Sequence, residues 1–213
     1  MVHIIGICGA SCSGKTTVSK EIMKRYHLDD ILMISQDNYY FGGNEETNYD
    51  IPSAIDFEKL IQDILDLSNN KEIDMPQYDF KKHQRCAETI KVKPKKYILV
   101  EGILIFYRKE LRELCDLKVY ILTYGELCYY RRLKRDVEER GRSVKEVSER
   151  YFRDVLPSSK TYVEPMIQFS DIALINNTDW KFIGLDILMD HLEKRWNIKN
   201  ESNQDAASTK HDV

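Results

Sequence analysis

The chain has 213 residues, with 32 lysines and arginines against 35 aspartates and glutamates, which gives a formal net charge of −3. Hydrophobic residues make up 42% of the sequence and charged residues 31%, a balance typical of globular domains that excludes an intrinsically disordered chain. The slightly acidic charge argues against a nucleic-acid partner, and no apolar run is long enough to predict a membrane span. The length favours one α/β domain with a small lid.

Cysteine usage indicates the compartment. The five cysteines are odd in number, scattered, and never spaced as Cys-x-x-Cys (Cys8, Cys12, Cys86, Cys115 and Cys128). This usage is typical of reduced cytosolic thiols. The N-terminal apolar stretch is too short for a signal peptide and leads directly into a loop that contains glycine. We therefore expect a cytoplasmic protein.

The first pattern along the chain is this loop, residues 9–17, which reads Gly-Ala-Ser-Cys-Ser-Gly-Lys-Thr-Thr. It follows an apolar run that predicts a strand over residues 2–8, and it precedes an amphipathic segment with Val18, Ile22, Met23 and Tyr26. A strand, a glycine turn and a helix N-terminus in this order form a phosphate-binding loop, because main-chain N–H groups and the helix dipole then face the anion. The sequence predicts binding of a nucleoside triphosphate; a glycine-rich turn with an ordinary surface lysine is the alternative.

The geometry of such loops predicts individual roles. The main-chain amides of residues 11–15 are expected to surround the β-phosphate, while Lys15 reaches the β- and γ-phosphates and also takes part in catalysis. The Thr16 hydroxyl is expected to ligate Mg²⁺. The residues predicted to bind the nucleotide are Gly9, Ser11, Cys12, Ser13, Gly14, Lys15, Thr16 and Thr17.

Two acids follow predicted strands. Asp37 comes after the strand at residues 31–35, and Glu101 comes after the strand at residues 97–100. Because the carboxyl ends of parallel strands meet at one edge of a sheet, both acids are expected near the phosphates. Phosphoryl transfer needs a proton acceptor and cations, so Asp37 suits the catalytic base and Glu101 with Thr16 suits the metal site, for which Asp37 is a further candidate. Two solvated loop carboxylates are the alternative.

Between these strands the sequence predicts a helix and a hairpin. Ser53 with Asp56 three residues later predicts a helix start, followed by an apolar stripe for the core (Phe57, Leu60, Ile61, Ile64 and Leu65). Residues 71–94 contain two short β-like runs joined by a charged turn at 81–85, which predicts a hairpin outside the main sheet.

The turn of this predicted hairpin combines aromatic rings with hydrogen-bond donors. It carries Tyr78, Phe80, His83 and Arg85, and the aromatic residues at 39–41 offer a second wall. A flat polar base ring needs such residues for stacking and for recognition of its edge. Ordinary exposed residues are the alternative.

The second half of the chain adds strands at residues 117–122 and 171–175, a helix at 126–139, and a capping box formed by Ser143 and Glu146. Residues 131–142 are rich in arginine and include Gly141, which favours a lid over residues 126–150 that closes on phosphates. A solvated helix with paired charges is the alternative.

A final helix is predicted over residues 179–196, with a helical spacing of apolar residues that suits packing on the sheet (Trp180, Ile183, Ile187, Leu188 and Leu192). Residues 197–213 are polar, and we expect a disordered tail beyond a domain of residues 1–196. The predicted fold class is α/β: a P-loop NTPase-type parallel sheet flanked by helices, with a small β-hairpin and a helical lid.

Taken in order, the motifs from residue 4 to residue 188 resemble the uridine kinase (uridine–cytidine kinase) family. The order and spacing of the motifs are specific, although each short piece alone is not. The matching pieces are the loop at 9–17, Asp37-Asn38-Tyr39-Tyr40, Asn48-Tyr49-Asp50-Ile51-Pro52, Tyr78-Asp79-Phe80 with His83 and Arg85, Glu101-Gly102-Ile103-Leu104, Arg131-Arg132 with Arg135-Asp136, Glu139-Arg140-Gly141-Arg142, and Glu164-Pro165.

The resemblance implies transfer of the γ-phosphate of ATP or GTP to uridine or cytidine, with Mg²⁺, by an enzyme that is often a homotetramer. It implies that Asp37 is the base toward the 5′-hydroxyl and that Asp50 binds the ribose. Tyr78, Phe80 and His83 would form the base pocket. Four arginines would belong to the lid: Arg135 for catalysis, Arg140 for the phosphate donor, and Arg132 and Arg142 for the nucleoside.

Three alternatives arise at the level of the sequence, and the retention of Lys15, Thr16, Asp37 and Glu101 argues against one of them, a catalytically inactive relative. The Leu122-Thr123 strand end and the Ile34-Ser35-Gln36-Asp37 segment also resemble nicotinamide riboside kinases. A nucleotide-binding switch would need an Asn-Lys-x-Asp element after a strand, and Asn70-Lys71-Glu72-Ile73-Asp74 has the wrong spacing and precedes the hairpin.

Overall fold

The computed structural model describes residues 2–25, 30–177 and 183–196. In chain order the strands are β1 (His3–Gly9), β2 (Ile31–Ser35), β3 (Ile73–Asp79), β4 (Gln84–Val92), β5 (Tyr97–Gly102), β6 (Leu117–Leu122) and β7 (Ile172–Ile175). Within the described ranges, a five-stranded parallel sheet has the order β2-β5-β1-β6-β7, and β3 pairs with β4 in a separate antiparallel sheet. The predicted parallel sheet is confirmed.

The helices surround this sheet. They are α1 (Lys15–Arg25), α2 (Phe57–Ser68), α3 (Lys109–Leu114), α4 (Gly125–Glu138), α5 (Val144–Arg150), α6 (Leu156–Ser158) and α7 (Ile183–Trp196). Short π-helical turns flank α6 at Tyr151–Val155 and Ser159–Val163, and a 3₁₀ helix, Glu164–Phe169, leads to β7. None of the helices in the described ranges combines the length and the apolar character that crossing a bilayer requires.

The main sheet is covered on both faces, which explains why its strands are continuously apolar. Ile4 and Phe106 belong to the core on one face, together with Leu60 and Ile64 of α2. Ile5 points to the opposite face and packs with residues of α1 and α7. Since β1 lies between β5 and β6, the loop that follows it projects from the middle of the carboxyl edge.

The helix expected to start at Ser53 begins later. Asp56 is the N-cap, and its Oδ1 accepts a hydrogen bond from the main-chain N of Lys59 at 3.1 Å. Ser53 lies in a separate 3₁₀ turn, Pro52–Ala54. This turn is closed by a hydrogen bond from the Ile55 N–H to the Pro52 carbonyl, so the cap position moves to Asp56.

The final helix also differs from its prediction. Ile187, expected in the packed stripe, is 66% exposed, whereas Leu185, Leu188, Met189 and Leu192 form the buried face. The prediction was therefore wrong at Ile187, because the face that packs on the sheet is centred on Leu185, Met189 and Leu192, and Ile187 lies on the opposite side of the helix. The predicted helix start at residues 179–180, the side chain of Tyr26 and the predicted tail at 197–213 lie outside the described residues.

The separate sheet of β3 and β4 lies where the sequence predicted a hairpin, with its turn at residues 80–83. Arg85 fixes this hairpin to the main body. It donates hydrogen bonds to the main-chain oxygens of Tyr40 at 3.0 Å and Tyr39 at 2.9 Å, and to Oδ2 of Asp56 at 2.9 Å. The sequence predicted Arg85 as a hydrogen-bond donor to a ligand base. In the structure it instead donates to the main chain at residues 39–40.

Candidate active site

The carboxyl edge of the main sheet, the hairpin and α4 enclose one cavity with an empty volume of about 870 Å³. Most of the side chains that the sequence singled out line it, although they come from segments far apart in the chain. These residues are Ser11, Cys12, Lys15, Thr16, Asp37, Asp50, Tyr78, Phe80, His83, Glu101, Arg132, Arg135, Arg140 and Arg142.

The remaining residues of the loop lie beside or behind this cavity. Gly14 and Thr17 line a smaller adjoining opening, together with Arg131. Gly9 has a φ of +151°, and an added Cβ would lie 2.6 Å from the carbonyl oxygen of Ile121, so the backbone is too close for any side chain. Ser13 is fully buried. Gly9 and Ser13 therefore lie on the side of the loop that packs against the protein interior, away from the cavity.

The loop has the backbone of an anion site. Cys12 and Gly14 adopt φ values of +62° and +106°, and a hydrogen bond from the Ser13 N–H to the Ala10 carbonyl closes the turn at 3.1 Å. Helix α1 begins at Lys15, so its free N-terminal N–H groups face the loop. Lys15 is 7% exposed, and its Nζ donates to the Ala10 carbonyl at 2.9 Å. The ammonium group is thus held beside the turn.

The two predicted acids line the same cavity and are linked through Ser35. Glu101 is paired in register with Ser35, and the Ser35 hydroxyl donates to Oε1 of Glu101 at 2.8 Å. The same hydroxyl accepts a hydrogen bond from the Asp37 N–H at 3.4 Å, at the N-terminus of the 3₁₀ turn Gln36–Tyr39. Burial raises the pKa of Glu101, and the charge of Lys15 opposes this shift.

The oxygen atoms on this wall suit a magnesium ion. Thr16, Asp37 and Glu101 line the same cavity, and Mg²⁺ prefers oxygen ligands, several of which are usually water and phosphate. Over the described ranges, no group of three or more His, Cys, Asp or Glu side chains is arranged to hold a metal alone. The donor set therefore fits an ion that is shared with a phosphate ligand.

A cluster of arginines gathers around one buried carboxylate on α4. Asp136 is 2% exposed and pairs with Arg135 at 2.8 Å, Arg140 at 3.2 Å and Arg132 at 3.5 Å. Arg132 also donates from Nη1 to the Ser11 hydroxyl at 3.0 Å, which joins the cluster to the phosphate loop. Three guanidinium groups against one carboxylate leave an excess of positive charge that attracts anions.

Aromatic rings form the opposite end of the cavity. Tyr49 stacks on His83 with ring centroids 5.4 Å apart and an interplanar angle of 16°. Tyr40 meets Tyr49 edge-on at 5.5 Å, and Tyr78 lies 5.3 Å from Tyr40. Phe80 packs against Tyr78 at 5.2 Å. This end is suited to a flat ring.

Asp50 lies in the same cavity as these rings, in a fixed orientation. The main-chain N–H of Asp50 donates to Oδ1 of Asn48 at 2.9 Å, and Nδ2 of Asn48 donates to the Ser158 hydroxyl at 3.0 Å. Burial raises the pKa of Asp50, while the positive charge of Arg132 lowers it. The half-buried carboxylate lines the cavity and can accept a hydrogen bond from a ligand there.

Sequence reasoning missed several residues that line the cavity. Tyr49 lay within a quoted motif but carried no assigned role, and Arg150 and Asp154 were absent altogether. Nη1 of Arg150 is buried without a hydrogen-bond partner, and Arg153 holds Asp154 at 3.0 and 2.8 Å. In the sequence, residues 150–154 have the mixed charges of a surface helix, so no local signal marks them. The others missed are Ile103, Asp136 and Val155.

A phosphate loop between a buried strand and a helix N-terminus, facing carboxylates and an arginine cluster across one cavity, defines a P-loop phosphotransferase. The model of the phosphoribulokinase / uridine kinase family matches residues 4–179, and the chain belongs to this family. The family's kinases act by phosphoryl transfer from a bound nucleotide.

Individual relatives agree with this assignment. The chain is 41% identical over 197 residues to the uridine kinase of Bacillus subtilis, covering 89% of this chain and 93% of the relative. It is 40% identical over 192 residues to the uridine kinase of Staphylococcus carnosus, with 87% and 92% covered. The phosphoribulokinase structure from Rhodobacter spheroides has a TM-score of 0.62 at 15% identity, covering 87% of this chain and 74% of that one, a likeness of fold alone.

Proposed function

We propose that the protein phosphorylates a pyrimidine nucleoside, uridine and also cytidine, at the 5′-hydroxyl, with ATP as the phosphate donor and GTP as a further candidate. The observation that carries the proposal is the position of Asp37 in the cavity, which the phosphate loop bounds on one side and the aromatic end on the other. The relatives named uridine kinase, about 40% identical over most of the chain, support the same acceptor.

In this proposal Asp37 accepts the proton of the 5′-hydroxyl as that oxygen attacks the γ-phosphorus. Asp50 accepts a hydrogen bond from a ribose hydroxyl at the cavity wall. Lys15 and Arg135 stabilise the charge that develops on the transferred phosphoryl group. Arg140 contacts the phosphate donor, and Arg132 lies between the loop and the nucleoside.

The base lies among Tyr78, Phe80 and His83, with Arg142 beside His83. A bound Mg²⁺ would neutralise charge on the phosphates and hold them in line with the acceptor. Thr16 and Glu101, with Asp37 as a further candidate, would hold it. A homo-oligomeric assembly and a cytoplasmic location stay predictions of the sequence.

The test is an assay of nucleoside diphosphate release by the purified protein, ADP from MgATP or GDP from MgGTP, against uridine, cytidine, nicotinamide riboside, adenosine and no acceptor. We expect turnover with uridine and cytidine well above the blank and little with adenosine. Turnover confined to nicotinamide riboside, or none above the blank, would overturn the proposal. Detection of the 5′-monophosphate by mass spectrometry identifies the product.

A further inference from the structure

The carbonyl oxygen of Ser13, inside the phosphate loop, accepts two hydrogen bonds from side chains outside the loop. Thr123 donates from Oγ1 at 2.9 Å, and Asn176 donates from Nδ2 at 2.7 Å. Ser13 is fully buried and Asn176 is 6% exposed, so water does not compete for the Asn176 bond, while Thr123 is half-buried. Both lone pairs of this carbonyl oxygen are therefore occupied.

The two donors stand on strand ends that are themselves joined. Thr123 follows β6, and Asn176 follows β7 and donates its main-chain N–H to the Leu122 carbonyl at 2.8 Å. The main-chain N–H of Tyr124 donates to Oδ1 of Asn177 at 2.9 Å. The carboxyl ends of β6 and β7 thus form one support against which the phosphate loop rests.

What this support holds is the peptide plane between Ser13 and Gly14. A trans peptide points its C=O and its N–H in opposite directions, so fixing the Ser13 carbonyl also fixes the Gly14 N–H. Gly14 has a φ of +106°. Glycine adopts positive and negative φ angles about equally readily, so the backbone at Gly14 does little to oppose a flip of this peptide. A flipped peptide would present a carbonyl oxygen to a bound phosphate in place of an N–H, and the two would repel.

We propose that Thr123 and Asn176 are positioning residues that keep the Gly14 N–H directed toward the phosphates of the bound nucleotide. The inference rests on the proposed binding of a nucleoside triphosphate at this loop, but it is independent of which acceptor is phosphorylated. Neither residue lines the cavity that holds Asp37. Asn176 instead lines the smaller opening beside the loop, together with Gly14 and Lys15, so we expect the main effect on the phosphate donor.

The test combines Thr123→Val, which removes the donor and keeps the shape, with Asn176→Leu and the double variant. Affinities for ATP and for inorganic tripolyphosphate are measured by calorimetry, and KM for the nucleoside is measured alongside. Each single variant should weaken both phosphate ligands by about three- to tenfold, the range expected for one lost hydrogen bond. The double variant should lose more than the product of the singles, because the buried carbonyl then has no partner.

Two controls separate positioning from general stability. Thr123→Ser keeps the hydroxyl and should restore wild-type affinity. In Thr161, Oγ1 donates to the Pro157 carbonyl at 2.9 Å, away from the cavity, so Thr161→Val should leave both affinities unchanged.

The proposal would be overturned by a folded double variant that binds tripolyphosphate like the wild type, or by a Thr123→Ser variant as weak as Thr123→Val. If Asn176→Leu does not fold, the Thr123 pair decides alone. A protein that shows these affinities but phosphorylates no nucleoside would contradict the proposed function and support this inference.

Discussion

Arg142 donates a hydrogen bond from Nη2 to Nε2 of His83 at 3.3 Å, and this contact joins the segment after α4 to the turn of the hairpin. Arginine has no acceptor, so His83 must be neutral and must accept at Nε2. Burial, with the charges of Arg142 and Arg150 next in size, lowers the pKa of His83 from its ordinary value of 6.5. The aromatic end of the cavity is therefore closed by an uncharged histidine.

This contact predicts a pH dependence. Below about pH 6.5 the unfolded chain binds more protons at this histidine than the folded protein, so the contribution to stability is present above that pH and is lost as the pH falls. The KM for uridine should likewise rise on acidification, because protonated His83 can no longer accept from Arg142. In His83→Gln, whose amide oxygen can accept at any pH, this acidic limb should disappear. Profiles of kcat/KM from about pH 5 to 8 measure it; an unchanged limb in His83→Gln would contradict the assignment.

The base role of Asp37 predicts the effect of Asp37→Asn. The variant should bind ATP normally, while kcat falls by about 10²- to 10⁴-fold, the usual contribution of a general base. Asp74→Asn, which changes an exposed acid of β3, is the matched control and should behave like the wild type. Calorimetry with ATP and single-turnover kinetics separate binding from chemistry. Near wild-type turnover in Asp37→Asn would remove Asp37 from the base role.

The unpartnered Nη1 of Arg150 predicts a contact with the nucleoside. In the structure the Arg150 guanidinium lies 5.9 Å from the centroid of the Tyr49 ring. Arg150→Met removes the guanidinium but keeps most of the apolar stem beside this ring. KM for uridine should rise about tenfold, the loss expected for one charged hydrogen bond, with little change in KM for ATP.

Arg108 provides the control for this experiment. It pairs with Glu58 at 2.8 Å and Glu110 at 3.2 Å and does not line the cavity, so Arg108→Met should leave both KM values unchanged. An equal rise in both KM values for Arg150→Met would show a general disturbance of the cavity wall rather than loss of a nucleoside contact.

The arginine cluster predicts that Asp136→Asn lowers the stability of the fold and that bound anions restore part of it. Three guanidinium groups would lose their shared carboxylate, and we expect the free energy of unfolding to fall by about 2 kcal/mol, less than for a fully buried pair because the arginines are partly exposed. Inorganic tripolyphosphate should therefore raise Tm more in the variant than in the wild type. Urea denaturation and thermal melting supply the two measurements.

Asp63 is the matched control for this prediction. It is 1% exposed, pairs with Lys59 at 2.6 Å and accepts from the Tyr39 hydroxyl at 2.9 Å, all outside the cavity. Asp63→Asn should also lower stability, but tripolyphosphate should shift its Tm no more than that of the wild type. A larger shift in Asp63→Asn would disprove the link between Asp136 and anion binding.

The sequence by itself determined the parts that depend on neighbouring residues. The apolar run before Gly9 and the amphipathic run after Lys15 predicted β1 and α1, because strand and helix periodicity are local properties. The Ser143 cap is local in the same sense: its hydroxyl accepts from the Glu146 N–H at 3.1 Å. Asp37 and Glu101 could be placed near the loop because strand ends in a parallel sheet converge.

Only the tertiary structure decided which long side chains face the cavity. Arg85 and Arg150 both lie in mixed polar and aromatic sequence, yet Arg85 reaches main chain 45 positions away while Arg150 lines the cavity. Ile187 fits the helical period and is nonetheless exposed. The contacts of Ser13 join residues 110 and 163 positions apart. Spacing along a chain fixes the face on which a residue lies, but the partner it meets there depends on how distant elements pack.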